Sequence, residues 1–153
     1  MRAVISNLIV VCSCCVWQAS AAQHDGGSRF AAVDIYLVSA EPVAAWQFEF
    51  SNRNGLMKIV GVENGESAAF ERVPYYDREA VRRGTADRII VADFSLADAS
   101  LLPSGRTRIA TLHLVLEGTG DPEFYLHLVT AVTQHGQPID ASIGLDSKTG
   151  NEQ

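Results

Sequence analysis

The chain has 153 residues, of which 47% are hydrophobic, 20% charged and 8% aromatic, and 12 Lys and Arg face 18 Asp and Glu for a formal net charge of −6. This length fits one ordinary domain rather than two. Mild acidity without any basic run excludes the phosphate-binding footprint of a nucleic-acid-binding protein.

Residues 1–22 differ in kind from the rest. Arg2 precedes an apolar stretch from Ala3 to Trp17, and the small residues Ala19-Ser20-Ala21-Ala22 follow. A basic start, a short apolar middle and an A-x-A-like site predict a secretory signal peptide cut after Ala21 or Ala22. The stretch is shorter than the roughly 20 residues of a comfortable membrane span. Cys12, Cys14 and Cys15 all lie inside it. The exported chain then carries no cysteine and must hold together by core packing alone. The expected location is secreted, periplasmic or at the cell surface. Val11-Cys12-Ser13-Cys14 is loosely similar to a bacterial lipoprotein signal, and only with lipidation at Cys14 would the domain be tethered to a membrane.

After a polar, glycine-rich leader (residues 23–28), the pattern has period two almost throughout, as half-buried strands require. In Phe30–Val38, Val33, Ile35 and Leu37 share a side. In Trp46–Phe50, Trp46, Phe48 and Phe50 share one, which places Trp46 in the core. Asn52-Arg53-Asn54-Gly55 reads as a turn, followed by a strand over Leu56–Glu63. The stretch Asp77–Gly84 has an N-cap Asp, good helix formers, late arginines and a closing Gly, which predicts a two-turn helix within a long loop. Asp87–Leu96 puts Ile90, Ala92 and Phe94 on one side. Thr107–Leu116 puts Ala110, Leu112, Leu114 and Leu116 on one side and Thr111 and His113 opposite. Phe124–Thr133 and Pro138–Leu145 are the last two predicted strands, and residues 146–153 are expected to be disordered. Short strands punctuated by Gly, Asn, Pro and Asp predict an all-β sandwich or barrel.

The order of segments resembles that of cohesin modules, the dockerin-binding β-sandwiches of bacterial scaffold proteins. Val43-Ala-Ala-Trp-Gln-Phe-Glu-Phe-Ser-Asn52 running into Leu56-Met-Lys-Ile-Val-Gly-Val-Glu-Asn-Gly65 is similar to their second segment. Arg88-Ile-Ile-Val-Ala92, Gly105-Arg-Thr-Arg-Ile-Ala-Thr-Leu-His-Leu-Val115 and His135-Gly-Gln-Pro-Ile139 are similar to later ones. Two departures stand out: Ser51-Asn52-Arg53 replaces the usual Tyr-Asp-Pro, and the Phe70–Thr85 loop is longer and more charged. The resemblance spans residues 29–145 and implies a nine-stranded jelly-roll β-sandwich with one short helix in a loop.

Catalytic patterns are missing. His24, His113, His127 and His135 form no zinc-type spacing, and there is no Gly-x-Ser-x-Gly elbow. His113 and His127 read as exposed or edge-of-core residues, with a shared site as the alternative. Asp93, Asp98, Asp121 and Asp140 lack the spacing of a calcium loop. No cofactor is expected, although a structural calcium held by loop oxygens, as in some related sandwiches, would leave no trace in spacing. Enzymatic function is not expected. The resemblance implies a noncatalytic module that presents one sheet to a protein partner, of dockerin type. That sheet would combine Leu56–Glu63, Asp87–Leu96 and Thr107–Leu116, with Lys58, Arg88, Asp93, Thr111 and His113 as contact residues. The alternative is a carbohydrate-binding module on the same sandwich, in which Tyr75 and Tyr76 stack on a polysaccharide.

Overall fold

The computed structural model describes residues 27–149 except residue 56, so the expected signal peptide, its cysteines and leader residues 23–26 lie outside the described residues. Seven strands follow in chain order: β1 Ser28–Ser39, β2 Ala45–Asn52, β3 Met57–Asn64, β4 Arg88–Phe94, β5 Gly105–Glu117, β6 Phe124–Val132 and β7 Ala141–Thr149. A 3₁₀ turn at Ala68–Phe70 and helix α1 at Arg78–Arg82 lie between β3 and β4. The strands form a four-stranded sheet in the order β3-β5-β1-β7 and a three-stranded sheet in the order β4-β2-β6. Every pairing is antiparallel.

The period-two pattern becomes the core. Val33 and Ile35 of β1, Phe48 and Phe50 of β2, Ile59 of β3, Val91 of β4 and Leu112 and Leu114 of β5 are fully buried, and Trp46 is 1% exposed. Trp46 stacks on Phe48 at 5.7 Å between ring centroids and meets Phe70 at 6.1 Å, while Phe50 meets Phe124 at 5.1 Å. Interdigitated aromatic and branched side chains of this kind supply most of the favourable free energy of a sandwich.

Helix α1 starts where expected. The Asp77 carboxylate accepts a hydrogen bond from the Ala80 N–H at 2.9 Å, and Gly84 takes a left-handed φ of +67° just past the end.

Four expectations change. First, the sandwich has seven strands among the described residues, not nine. Two single-residue bridges, Tyr75 with Ala92 and Val132 with Pro138, stand beside β4 and β6 without growing into strands. Pro74 lacks an N–H on one side of Tyr75, and Asp77 already caps a helix on the other. Pro138 lacks an N–H as well.

Second, the last strand starts at Ala141 rather than Pro138 and runs on through residues 146–149, half of the segment expected to be disordered. Pairing with β1 over Ala31–Ser39, together with the partners found by Asp146 and Lys148, orders it. Residues 150–153 lie outside the described residues. Third, Ser28 of the expected leader already pairs with Glu117.

Fourth, β4 is inverted relative to its predicted apolar side. Ile89, Val91 and Asp93 point into the core, whereas Ile90 and Phe94 are 47% and 46% exposed. Both sets are apolar enough to be buried, and cross-strand pairing with Phe50, Phe48 and Trp46 selects the odd-numbered set.

Candidate binding face

The topology separates the five residues expected on one face. β3 and β5 belong to the four-stranded sheet and β4 to the other, so Lys58, Thr111 and His113 share no face with Arg88 and Asp93. Lys58 lies on edge strand β3 and pairs with Glu117 at 2.9 Å. Thr111, although it points away from the core, is 6% exposed. Its hydroxyl donates to Asp34 Oδ1 at 2.6 Å and accepts from Arg108 at 2.8 Å. His113 Nε2 lies 3.0 Å from Glu63 Oε1, a close contact without hydrogen-bond alignment. His127 sits on the other sheet, so the two histidines form no shared site.

Asp93 points inward and is 7% exposed. Its Oδ1 accepts from the Phe94 N–H at 2.8 Å, but Oδ2 has no partner. Burial pushes its carboxyl above the ordinary range, against the opposing pull of that N–H and of Arg72. It is therefore not a surface contact residue. Arg88 does face outward, forked onto Glu49 at 2.6 and 2.9 Å. That bidentate pair holds the Glu49 carboxyl below its usual range.

The tyrosines part company. Tyr75 is 55% exposed and lies flat against Phe94, with centroids 6.0 Å apart and planes 8° from parallel. Its backbone exchanges two hydrogen bonds with Ala92, at 2.8 and 3.0 Å, which adds a rung to the edge of β4. Tyr76 packs against the core under the Arg78 guanidinium. Adjacent residues on an extended segment point opposite ways, so only one can be offered to a ligand.

On the outer side of the β4-β2-β6 sheet, one apolar surface comes together from residues that the sequence pattern does not group. Ile90 and Phe94 of β4, Tyr75 beside them and Leu96, 92% exposed just past the strand, form its apolar part. Tyr125 and His127 of β6, stacked at 6.3 Å with Arg53 over the tyrosine ring, form the far side. Glu49 and Arg88 neutralise each other between them. A legible signal existed: Ile89-Ile90-Val91-Ala92 is apolar on both parities, the mark of a strand with two faces to cover. Among the described residues no three His, Cys, Asp or Glu side chains converge where they could hold a metal ion.

No family model matches the chain, and no curated protein matches it. Among solved structures, a chain in the crystal structure of the CaDoc0917–CaCohA2 complex, a cohesin–dockerin complex, matches with a TM-score of 0.56 at 12% identity. The match covers 75% of this chain and 83% of that one. At that identity the likeness is one of fold: the chain has a cohesin-like β-sandwich fold.

Proposed function

We propose that the chain is an exported, noncatalytic binding module that offers the outer face of its β4-β2-β6 sheet to a protein partner of dockerin type. The observation that carries this reading is the group of Tyr75, Ile90, Phe94 and Leu96. Four large apolar side chains are exposed along the β4 edge of a sheet whose Arg88 and Glu49 neutralise each other. Exposed apolar patches rimmed by polar residues mark protein interaction sites, and aromatic anchors carry most of their binding energy. The likeness to a chain of a cohesin–dockerin complex supports the choice of partner class. Arg2, the apolar stretch and Ala19-Ser20-Ala21-Ala22 support export.

The test is a set of titrations against immobilised dockerin-type modules, with calcium and with EDTA. Tyr75→Ala/Phe94→Ala should weaken binding by about 30-fold or more, the effect of losing a hot-spot pair, while leaving the unfolding transition within about 1 kcal/mol of the parent. Unchanged binding by the double variant would move the interface elsewhere. Absent dockerin binding, together with polysaccharide retention in affinity gels that Tyr75→Ala abolishes, would replace the reading with sugar recognition. That alternative has a weaker footing, since Tyr76 is turned into the protein.

A further inference from the structure

We infer that the open edge of β6, over Phe124–Leu128, pairs with the same edge of a second copy of the chain. The two strands run antiparallel about a two-fold axis, so that the three-stranded sheets of both copies join into one continuous sheet.

An unprotected strand edge is a template for another strand, and folded proteins block it with charges, proline, bulges or a covering segment. Edges β3 and β4 are blocked in this way, and β7 over its second half. On β3 the Ile59 N–H donates to the Ala86 carbonyl at 2.7 Å, a bulge interrupts the strand, and Lys58 and Glu63 are charged. β4 is occupied by Tyr75. β7 carries Asp146 and Lys148 in its second half, while its first half, Ala141–Leu145, is uncharged and holds a glycine at 144.

β6 reads FYLHLVTAV, with neither a formal charge nor a proline. Only its end is covered: the Ile139 N–H donates to Ala131 and the Thr133 N–H to Gln137, at 3.1 and 3.0 Å. A bulge between Leu128 and Thr130 separates that covered end from Phe124–Leu128.

Backbone direction over this stretch follows from one hydrogen bond. The Glu123 carbonyl accepts from the Arg53 N–H at 2.9 Å and so points toward β2. By alternation Tyr125 and His127 also bond to β2, whereas Phe124, Leu126 and Leu128 turn their N–H and C=O groups outward. Among the described residues no backbone group meets them. Leu126 and Leu128 are also only half-buried, although their β2 neighbours Phe50 and Phe48 are fully buried. Ile143 and Leu145 of β7, likewise part of the core's margin, are half-buried too. This side of the sandwich lacks cover.

A second copy fits the edge by its own symmetry. With the axis at Leu126, that residue faces its equivalent and Phe124 faces Leu128, so every outward N–H and C=O is satisfied reciprocally. Tyr125 then falls opposite His127 of the other copy, which extends the aromatic row already stacked within each chain. The contact also brings no like charges together, although the chain as a whole is acidic.

Sedimentation equilibrium and residue-resolved amide exchange on the purified protein, between about 1 and 100 µM, test this directly, since a self-association is read from its concentration dependence. The expected result is a dimer mass at the upper end, with Leu126 and Leu128 amides protected there and losing protection on dilution. Leu126→Pro removes an outward N–H that β2 does not use and should halve the mass. Tyr125→Lys/His127→Lys, which keeps the backbone intact and crowds four ammonium groups at the axis, should do the same if the proline variant does not fold. A monomer with unprotected Leu126 and Leu128 at every concentration overturns the inference. So does protection that ignores concentration, which would mean the chain's own residues cover the edge, and so does a dimer that survives substitution.

Discussion

The two outer faces of the sandwich are built from the same alternation and use it in opposite ways. On the four-stranded sheet the charged outward side chains meet one another, although Phe30, Val38 and Val60 are exposed there as well. Arg106 reaches from β5 across the Tyr36 ring of β1, 3.4 Å from its centroid, to Asp146 of β7 at 2.7 Å. Lys148 reaches back to Asp34 at 2.7 Å, and Arg108 and Thr111 close the network from the other side. Asp34 and Asp146 are direct cross-strand partners, a repulsive pair unless each finds a cation, and each does. On the three-stranded sheet, among the described residues, Arg88 and Glu49 pair strand to strand, Arg53 and Glu123 meet at the margin, and the exposed side chains of β4 are otherwise apolar. A face whose charges are satisfied within the chain has little charge left to offer a partner. One whose apolar groups are left exposed has its main interaction still to make.

The largest effect that could break this contrast is on the charged face. Asp34 is 4% exposed and accepts both a lysine and a threonine. Asp34→Ala strands the Thr111 hydroxyl and leaves Arg108 and Lys148 without their anion, for an expected loss of about 2–3 kcal/mol in urea unfolding. Burial would raise the Asp34 carboxyl, but the bonds from Lys148 and Thr111 outweigh it and hold it below its ordinary value. A carboxyl lowered on folding contributes stability above its unfolded pKa, near 3.8, and loses that contribution as pH falls through the lower folded value. The cost of Asp34→Ala should therefore shrink below about pH 4. A cost under 0.5 kcal/mol at neutral pH would make the ladder decorative and remove the contrast.

Asp93 supplies the opposite sign from inside the other sheet. Its carboxyl is raised on folding, so its ionised form is the strained one. Stability tied to it is complete below its unfolded pKa and lost as pH rises through the folded value. With Oδ2 unpartnered, Asp93→Asn should add about 1 kcal/mol at pH 7, the scale of relieving a poorly satisfied buried charge. The gain should vanish near pH 3. Parallel unfolding curves for the parent and Asp93→Asn at the two pH values check this. A loss at pH 7 would mean that an ordered water or a cation completes the carboxylate.

Much of this architecture was legible in the chain, and the exceptions share a cause. Val33-Ile35-Leu37 and Trp46-Phe48-Phe50 have polar or small neighbours on the opposite parity, so period two assigns their faces unaided. β4 has apolar residues on both parities, and only the register against β2 decides between them. The same non-local information assigns β3 and β5 to one sheet and β4 to the other, and it separates Lys58, Thr111 and His113 from Arg88. Asp93 reads as a surface residue because its charge is local, whereas its burial follows from lying opposite Trp46. Thr111 is held by Arg108 from its own strand and by Asp34 from 77 positions away in the chain; no local pattern carries that second contact.

The smallest effect separates the two faces by salt. At about 1 M NaCl the screening length contracts to about 3 Å, and exposed ion pairs weaken. Lys58–Glu117 and Arg106–Asp146 are both more than two-fifths exposed at each end, so their joint contribution is small and most of it is lost. Asp34, enclosed by its partners, is screened less. The unfolding free energy should fall only slightly, as exposed pairs contribute little. Attachment through Tyr75, Ile90, Phe94 and Leu96 should hold or tighten, because salt does not screen apolar contact. Binding and unfolding measured side by side in low and high salt therefore give opposite or unequal responses if the faces differ in kind. Loss of binding in step with stability would place the partner on charges, and the four-stranded face would then be the surface to mutate.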